Sequence, residues 1–165
     1  MMNPEDFPGL VPLVYARARG FDRTEQYVDW AQAALELGFD GKNLLRLAVA
    51  EPPFFRPTVQ ALFEATLAEL GLPTISEHQA LLLGARQTAR RIIDGSITPA
   101  AGAAELRAAF PACEAPPPPL DAWWQLDEAY ECSYCRSVVA PNGVSVDEAV
   151  IAKAKELSHM DWRDA

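Results

Sequence analysis

The sequence is poor in the residues from which metal sites, disulfides and most nucleophilic active sites are built. It contains three cysteines and two histidines in 165 residues. An odd number of cysteines argues against a disulfide framework, and we expect free thiols in a reducing cytoplasm. The sequence also lacks a Gly-x-Ser-x-Gly elbow, a glycine-rich phosphate loop and the His-x-Glu pattern of zinc deaminases. None of these common catalytic motifs is therefore present.

Positive charge is scarce as well. The chain has 14 Lys and Arg against 23 Asp and Glu, which gives a formal net charge of -9. This charge repels phosphate backbones and anionic lipid surfaces. No apolar run approaches the roughly 18 residues of a membrane span, and the acidic start at 1–6 is unlike a signal peptide. We expect a cytoplasmic protein that binds neither nucleic acid nor membrane and whose suitable partner is a basic protein.

Strand signals are nearly absent, whereas apolar residues recur with the 3.6-residue period of an α-helix. We predict an all-α fold, an irregular bundle of about seven helices. The predicted helices are 22–37, 40–48, 56–70, 75–94, 99–110, 120–134 and 145–157. Two Glu-Leu-Gly phrases lie 33 positions apart, but the next helix stop breaks that period, so a helical repeat array is the less favoured architecture.

Residues typical of helix ends punctuate these segments. Serine, threonine and aspartate accept hydrogen bonds at helix starts, and glycine takes the left-handed conformation that ends a helix. The predicted starts are Thr74 with Glu77, Ser145 with Glu148, Thr98 before Pro99, and Asp40; the predicted stops are Gly38, Gly71 and Gly95.

We predict a single helical domain over 1–165. Its main helical core spans 22–110, a proline-rich connector spans 111–119, and a C-terminal helical segment over 120–165 packs on that core. The connector contains the run Pro116–Pro119, which favours a short, stiff polyproline II spacer.

Cys132 and Cys135 form the sharpest local pattern. Redox use of such a pair in a thioredoxin-like site needs a helix start that follows a strand, whereas this pair is predicted to end a helix. Zinc needs two more ligands, and the candidate set is Cys113, Cys132, Cys135 and His159, although its spacing matches no standard zinc module. Glu156 with His159 has the spacing of a two-metal carboxylate site, but no second such pair is present. Free thiols without a cofactor are the favoured interpretation, and zinc is the alternative.

A second candidate site is a surface for a protein partner. Trp123 and Trp124 are adjacent, and neighbours on a helix point about 100° apart, so both cannot face one core. Tryptophan is enriched at binding hot spots, and acidic residues attract a basic partner. The predicted partner-binding residues are Trp123, Trp124, Asp127, Glu128 and Glu131.

The run from Trp30 to Gly71, with its Leu-Gly-Phe-Asp turn and its Pro52-Pro53 break, resembles a group of small, acidic, bacterial all-helical proteins. The Leu126–Tyr130 stretch and the closing helix extend this resemblance over about residues 27–160. It implies a shared fold and no assigned activity, and it carries over no catalytic residue. The cysteine pair and the proline run lie outside the pattern.

Three functional hypotheses follow. The favoured one is a non-enzymatic domain that binds and occludes a protein partner, because small acidic bacterial helical proteins include toxin-neutralising immunity proteins. The second is a zinc-stabilised helical protein that uses the cysteine pair. The third is an enzyme whose carboxylates are distant in sequence and therefore form no motif.

Overall fold

A computed structural model of the protein describes residues 3–109 and 122–164. Within these ranges every regular element is a helix and no strand is present, which confirms the all-α fold. The nine α-helices there are α1 (Leu10–Ala18), α2 (Thr24–Glu36), α3 (Lys42–Ala48), α4 (Arg56–Glu69), α5 (Glu77–Ile93), α6 (Pro99–Ala108), α7 (Trp123–Glu128), α8 (Ser133–Val139) and α9 (Val146–His159). Short 3-10 helices at Pro4–Asp6 and Trp162–Asp164 precede α1 and follow α9. The predicted connector 111–119, with Cys113 and Pro116–Pro119, lies outside the described residues.

The described part of the chain has two more helices than the seven predicted, and α1 is the first of them. Pro12 is the third residue of α1. The first four N–H groups of an α-helix have no partner within the helix, so a proline there removes no hydrogen bond. The sequence prediction placed no helix before residue 22, whereas Pro12 in the first turn is compatible with one.

The second additional helix is α8, of which the predicted helix 120–134 included only the first two residues. The helix α7 ends at Glu128, and Cys132 has an extended backbone with φ -96° and ψ 115°. The Sγ atom of Cys132 accepts a hydrogen bond from the N–H of Cys135 at 3.5 Å, which caps a new helix. The prediction that the cysteine pair ends a helix is therefore wrong, because the pair begins one.

Several predicted helix ends are confirmed. Ser145 and Glu148 form a reciprocal capping box, and the Thr98 hydroxyl accepts from the N–H of Ala101. The three predicted stops have positive φ, at Gly38, Gly71 and Gly95. At α5 the prediction is wrong by two residues. The capping pair there is Ser76 and Gln79 instead of Thr74 and Glu77, because α5 begins at Glu77 and its cap must come directly before it.

The start of α3 is capped by a residue distant in sequence. No side-chain cap from Asp40 is present; instead the Glu69 carboxylate, at the end of α4, accepts from three successive backbone N–H groups. These donors are Lys42 at 2.8 Å, Asn43 at 2.9 Å and Leu44 at 3.2 Å. A Cβ atom on Gly41 would collide with that carboxylate. Glycine at this position is therefore needed for the approach of Glu69.

The chain divides into two compact units, residues 1–80 (unit 1) and residues 81–165 (unit 2). In unit 1, α1 packs on α2, and α2, α3 and α4 pack on one another. Aromatic rings fill the space between these helices. Phe63 lies edge-on to Tyr27 and to Trp30, with ring centroids 5.0 and 5.2 Å apart, and Phe7 packs on Trp30 at 5.3 Å. The single-domain prediction with a core over 22–110 stays a prediction.

Unit 1 also buries a charged residue that the sequence patterns did not single out. The carboxylate of Asp22 accepts hydrogen bonds from the Tyr27 hydroxyl and from the Arg56 guanidinium, both at 2.6 Å. A buried carboxylate is tolerated when it is paired and hydrogen bonded. Burial, followed by this hydrogen bond to Asp22, raises the pKa of Tyr27 well above its ordinary value.

In unit 2, α6 packs on α7 and α9, and α7, α8 and α9 contact one another. Several small residues of this unit are buried, and one lies against a side chain of α5. Ala103, Ala129 and Ala154 are fully buried, and a Cβ atom added at Gly102 would overlap the side chain of Ile92. Helices with small residues at their contact can approach closely. Trp123 is the largest fully buried side chain described in this unit.

Candidate functional site

The helices α7 and α8 carry most of the residues singled out from the sequence. The side chain of Arg136, on α8, ties the two helices together. It donates to the carbonyl oxygens of Ala129 at 3.2 Å and Tyr130 at 2.9 Å, which lie in the turn after α7. The Tyr130 hydroxyl in turn donates to the Asp147 carboxylate at 2.7 Å, on the first turn of α9. The candidate residues therefore lie on a segment held at several points.

The two adjacent tryptophans lie in opposite environments. Trp123 is fully buried, whereas Trp124 is 51% exposed. This is the outcome expected for neighbours about 100° apart on a helix. Only Trp124 is available for contact with another molecule.

The three predicted acidic residues also differ from one another in their ion pairs and exposure. Arg107, on α6, forms ion pairs with Asp127 at 2.8 Å and Glu128 at 2.7 Å, whose side chains are 19% and 32% exposed. The hydrogen bond to Asp127, with the charge of Glu128, raises the pKa of Arg107 above its ordinary value. Two of the three acids thus hold α6 against α7. Glu131 is exposed.

Three large apolar side chains that were not among the predicted partner-binding residues are exposed after Trp124 in the sequence. Tyr134 and Val138 lie one turn apart on α8 and are 76% and 50% exposed, and Val144 is 45% exposed. Sequence reasoning missed Tyr134 and Val138 because it did not predict α8 as a separate helix. We call Trp124, Glu131, Tyr134 and Val138 the α7–α8 surface.

The cysteine pair occupies the start of α8. Cys132 is half-buried and Cys135 is 9% exposed. The N–H of Cys135 donates to the Cys132 sulfur, and this bond lowers the pKa of the Cys132 thiol below its ordinary value. The Cys135 thiol donates to the same sulfur, and this bond and burial raise the pKa of Cys135. The backbone N–H of Cys135 therefore contacts the Cys132 sulfur, and the two thiols have unequal surroundings.

The fourth member of the predicted zinc set lies among cationic side chains. His159 is the last residue of α9, and it lines a cavity of about 770 Å³ together with Arg86, Arg90 and Lys155. Over residues 3–109 and 122–164, no group of three or more His, Cys, Asp and Glu side chains could hold a metal ion. Cys113 lies outside those ranges, so zinc binding by the four-residue set stays a prediction.

Carboxylates also line a small cavity in unit 1. Glu64 and Glu77 contribute to its wall, and its volume is about 180 Å³. Glu64 forms an ion pair with Arg17 there. The hypothesis of an enzyme with carboxylates distant in sequence stays a prediction.

Comparison with known proteins finds no matching family model, no matching curated sequence and no matching solved structure. The resemblance to small acidic bacterial helical proteins therefore stays an expectation from the sequence. Among the described helices, none is both long and apolar enough to cross a lipid bilayer.

Proposed function

We propose that the protein is a non-enzymatic binding domain that covers a basic surface of a protein partner with its α7–α8 surface. The observation that carries this proposal is the exposure of two large aromatic side chains, Trp124 at 51% and Tyr134 at 76%, on adjacent helices. When a partner covers an exposed aromatic side chain, a large apolar area is removed from water at a low cost in side-chain entropy. Tryptophan and tyrosine are both enriched at binding hot spots.

Charge supports the choice of a basic partner. The chain carries a formal net charge of -9, and Glu131 lies between the two aromatic residues in sequence. Opposite charge on the partner speeds association and fixes its orientation, and the effect weakens as salt is added. Neutralisation of a toxin by a co-encoded binding protein is one form that this function takes.

Unit 1 offers a matched control surface. Leu45 and Val49 are 53% and 64% exposed and lie one turn apart around the end of α3. Aliphatic residues of this kind are under-represented among hot spots. The proposal requires that a partner contact the α7–α8 surface and leave Leu45 and Val49 uncovered.

The test places a photo-crosslinking amino acid at position 134 or, as control, at position 45, in cells of the source organism. We expect one protein to be captured from position 134 only. Its affinity is then measured with purified protein. Trp124→Ala and Tyr134→Ala should each weaken binding at least about tenfold, whereas Leu45→Ala should change it less than about twofold.

The opposite results would overturn the proposal. These are capture from position 45 alone, no capture from either position, or an affinity unchanged by Trp124→Ala and Tyr134→Ala. Titration at rising ionic strength tests the charge of the partner separately. An affinity that does not fall with salt, and is the same for Glu131→Gln, would remove the basic partner from the proposal.

A further inference from the structure

The cysteine pair has a geometry that neither the partner-binding surface nor the fold requires. Cys132 and Cys135 are separated by two residues across the first turn of α8, and both are free thiols. The Sγ atom of Cys132 lies 3.5 Å from the backbone nitrogen of Cys135, whose N–H donates to it. Cysteine is not among the preferred N-cap residues, so capping alone does not account for it here.

The two thiols differ in access to solvent. Cys132 is half-buried, and the neighbouring Ser133 and Tyr134 are exposed, so a small molecule can reach its sulfur. Cys135 is 9% exposed and lies behind it. A partly exposed cysteine one helical turn from a covered cysteine is the arrangement that a two-step exchange with an external disulfide requires, because the first sulfur reacts from outside and the second from within.

We propose that Cys132 and Cys135 are a redox-active dithiol that exchanges with low-molecular-weight disulfides, with Cys132 as the attacking and Cys135 as the resolving thiol. This goes beyond the proposed partner binding and does not depend on it.

The exchange balances without a further reactant. The Cys132 thiolate attacks one sulfur of the small disulfide; a new S–S bond forms, the old one breaks, and the first small thiolate leaves with the electron pair and takes a proton from water. Cys135 then gives its proton to water and attacks the Sγ atom of Cys132, which releases the second small thiolate. Two protein thiols are oxidised to one disulfide, and one small disulfide is reduced to two thiols.

Zinc binding is the competing use of the same pair. A structural zinc site needs four ligands at tetrahedral geometry, and the part of the chain that the structure describes brings no third ligand to these sulfurs. Disulfide exchange needs no further ligand, and both of its residues, Cys132 and Cys135, lie in the first turn of α8.

The experiment uses full-length protein carrying Cys113→Ser, which removes the third thiol, with oxidised glutathione as the probe. We expect loss of both thiols and a disulfide joining Cys132 to Cys135 in peptide mapping, reversed by reduced glutathione. In the same background, Cys135→Ser should accumulate a mixed disulfide between Cys132 and glutathione. Cys132→Ser should react at least about tenfold more slowly at Cys135, because that sulfur is covered.

Serine is a good helix N-cap, so Cys132→Ser is expected to fold, and circular dichroism with a thermal melt checks each variant. If Cys135→Ser proves unstable, Cys135→Ala replaces it. Equal reaction rates at the two thiols would overturn the proposal, as would stable glutathione adducts on both in place of a disulfide. With Cys113 restored, one equivalent of bound zinc that protects the pair from oxidised glutathione until a chelator is added would overturn it too.

Discussion

In residues 1–80 large aromatic rings fill the space between helices, whereas in residues 81–165 alanine and glycine let the helices approach closely. Phe63 is in edge-on contact with two other rings in unit 1, while Gly102 of unit 2 leaves no room for a methyl group beside Ile92. A core filled by rings is sensitive to loss of volume, and a core of small residues is sensitive to added volume. The two units should therefore respond differently to mutation.

The largest expected effect is in unit 1. Phe63→Ala removes a fully buried ring and leaves a cavity, so we expect the free energy of unfolding to fall by about 3–5 kcal/mol. Phe55→Ala is the control, because Phe55 is 69% exposed and its loss should change stability by less than about 0.5 kcal/mol. Chemical denaturation of both variants measures the difference. Equal losses would mean that the rings around Phe63 do not hold unit 1 together.

In unit 2 the expected change in stability is smaller, and its sign is opposite to that usual for glycine to alanine in a helix. On an exposed helix, glycine to alanine stabilises by about 1 kcal/mol. At Gly102 the new methyl group overlaps Ile92, so Gly102→Ala should instead destabilise by about 1–3 kcal/mol. The double variant with Ile92→Ala should lose less than the sum of the two single changes, since the overlapping atoms are gone. Stabilisation by Gly102→Ala alone would refute the close approach of α5 and α6.

The smallest expected effect is a dependence of the free energy of unfolding on pH in the alkaline range. The pKa of Tyr27 is raised by burial and by Asp22, while in the unfolded chain its pKa is near 10.0. Above that pH the unfolded state releases a proton that the folded state keeps, so stability falls as pH rises. The loss from Tyr27 should be about 1.4 kcal/mol at one pH unit above its ordinary pKa.

Thermal melts at pH values from roughly 9 to 11, which lie on both sides of the ordinary tyrosine pKa, check this expectation. Tyr27→Phe should reduce the alkaline slope, and Tyr130→Phe should reduce it as well, because burial and Asp147 also raise the pKa of Tyr130. If Tyr27→Phe leaves the slope of stability against pH unchanged, the Tyr27 hydroxyl is not the cause of the alkaline loss of stability.

The sequence predicted the helices whose ends are encoded locally. The capping box at Ser145 and Glu148 and the stop at Gly71 depend on residues within one turn, and both are confirmed. The start of α3 could not be predicted in this way. Its cap is Glu69, which is more than 20 residues away, so only the packing of α4 on α3 brings it there. Cys132 misled the prediction because cysteine is not among the preferred helix N-cap residues.

For the predicted candidate residues, the packing decides which side chains are buried and which are exposed. Helical geometry indicated that Trp123 and Trp124 face different ways, but only the tertiary contacts decide that Trp123 is the buried one. The sequence predicted Asp127 and Glu128 as partner-binding residues. Arg107 pairs with both, and no local pattern connects a residue on α6 to them.

The cap that Glu69 provides makes α3 dependent on α4. A seven-residue helix is far shorter than the roughly 12–15 residues that an isolated helix needs to persist in water. Three of its leading N–H groups find an acceptor only when the end of α4 has docked. Hydrogen exchange should therefore report a single opening event for these two helices, with Lys42, Asn43 and Leu44 losing protection together with α4.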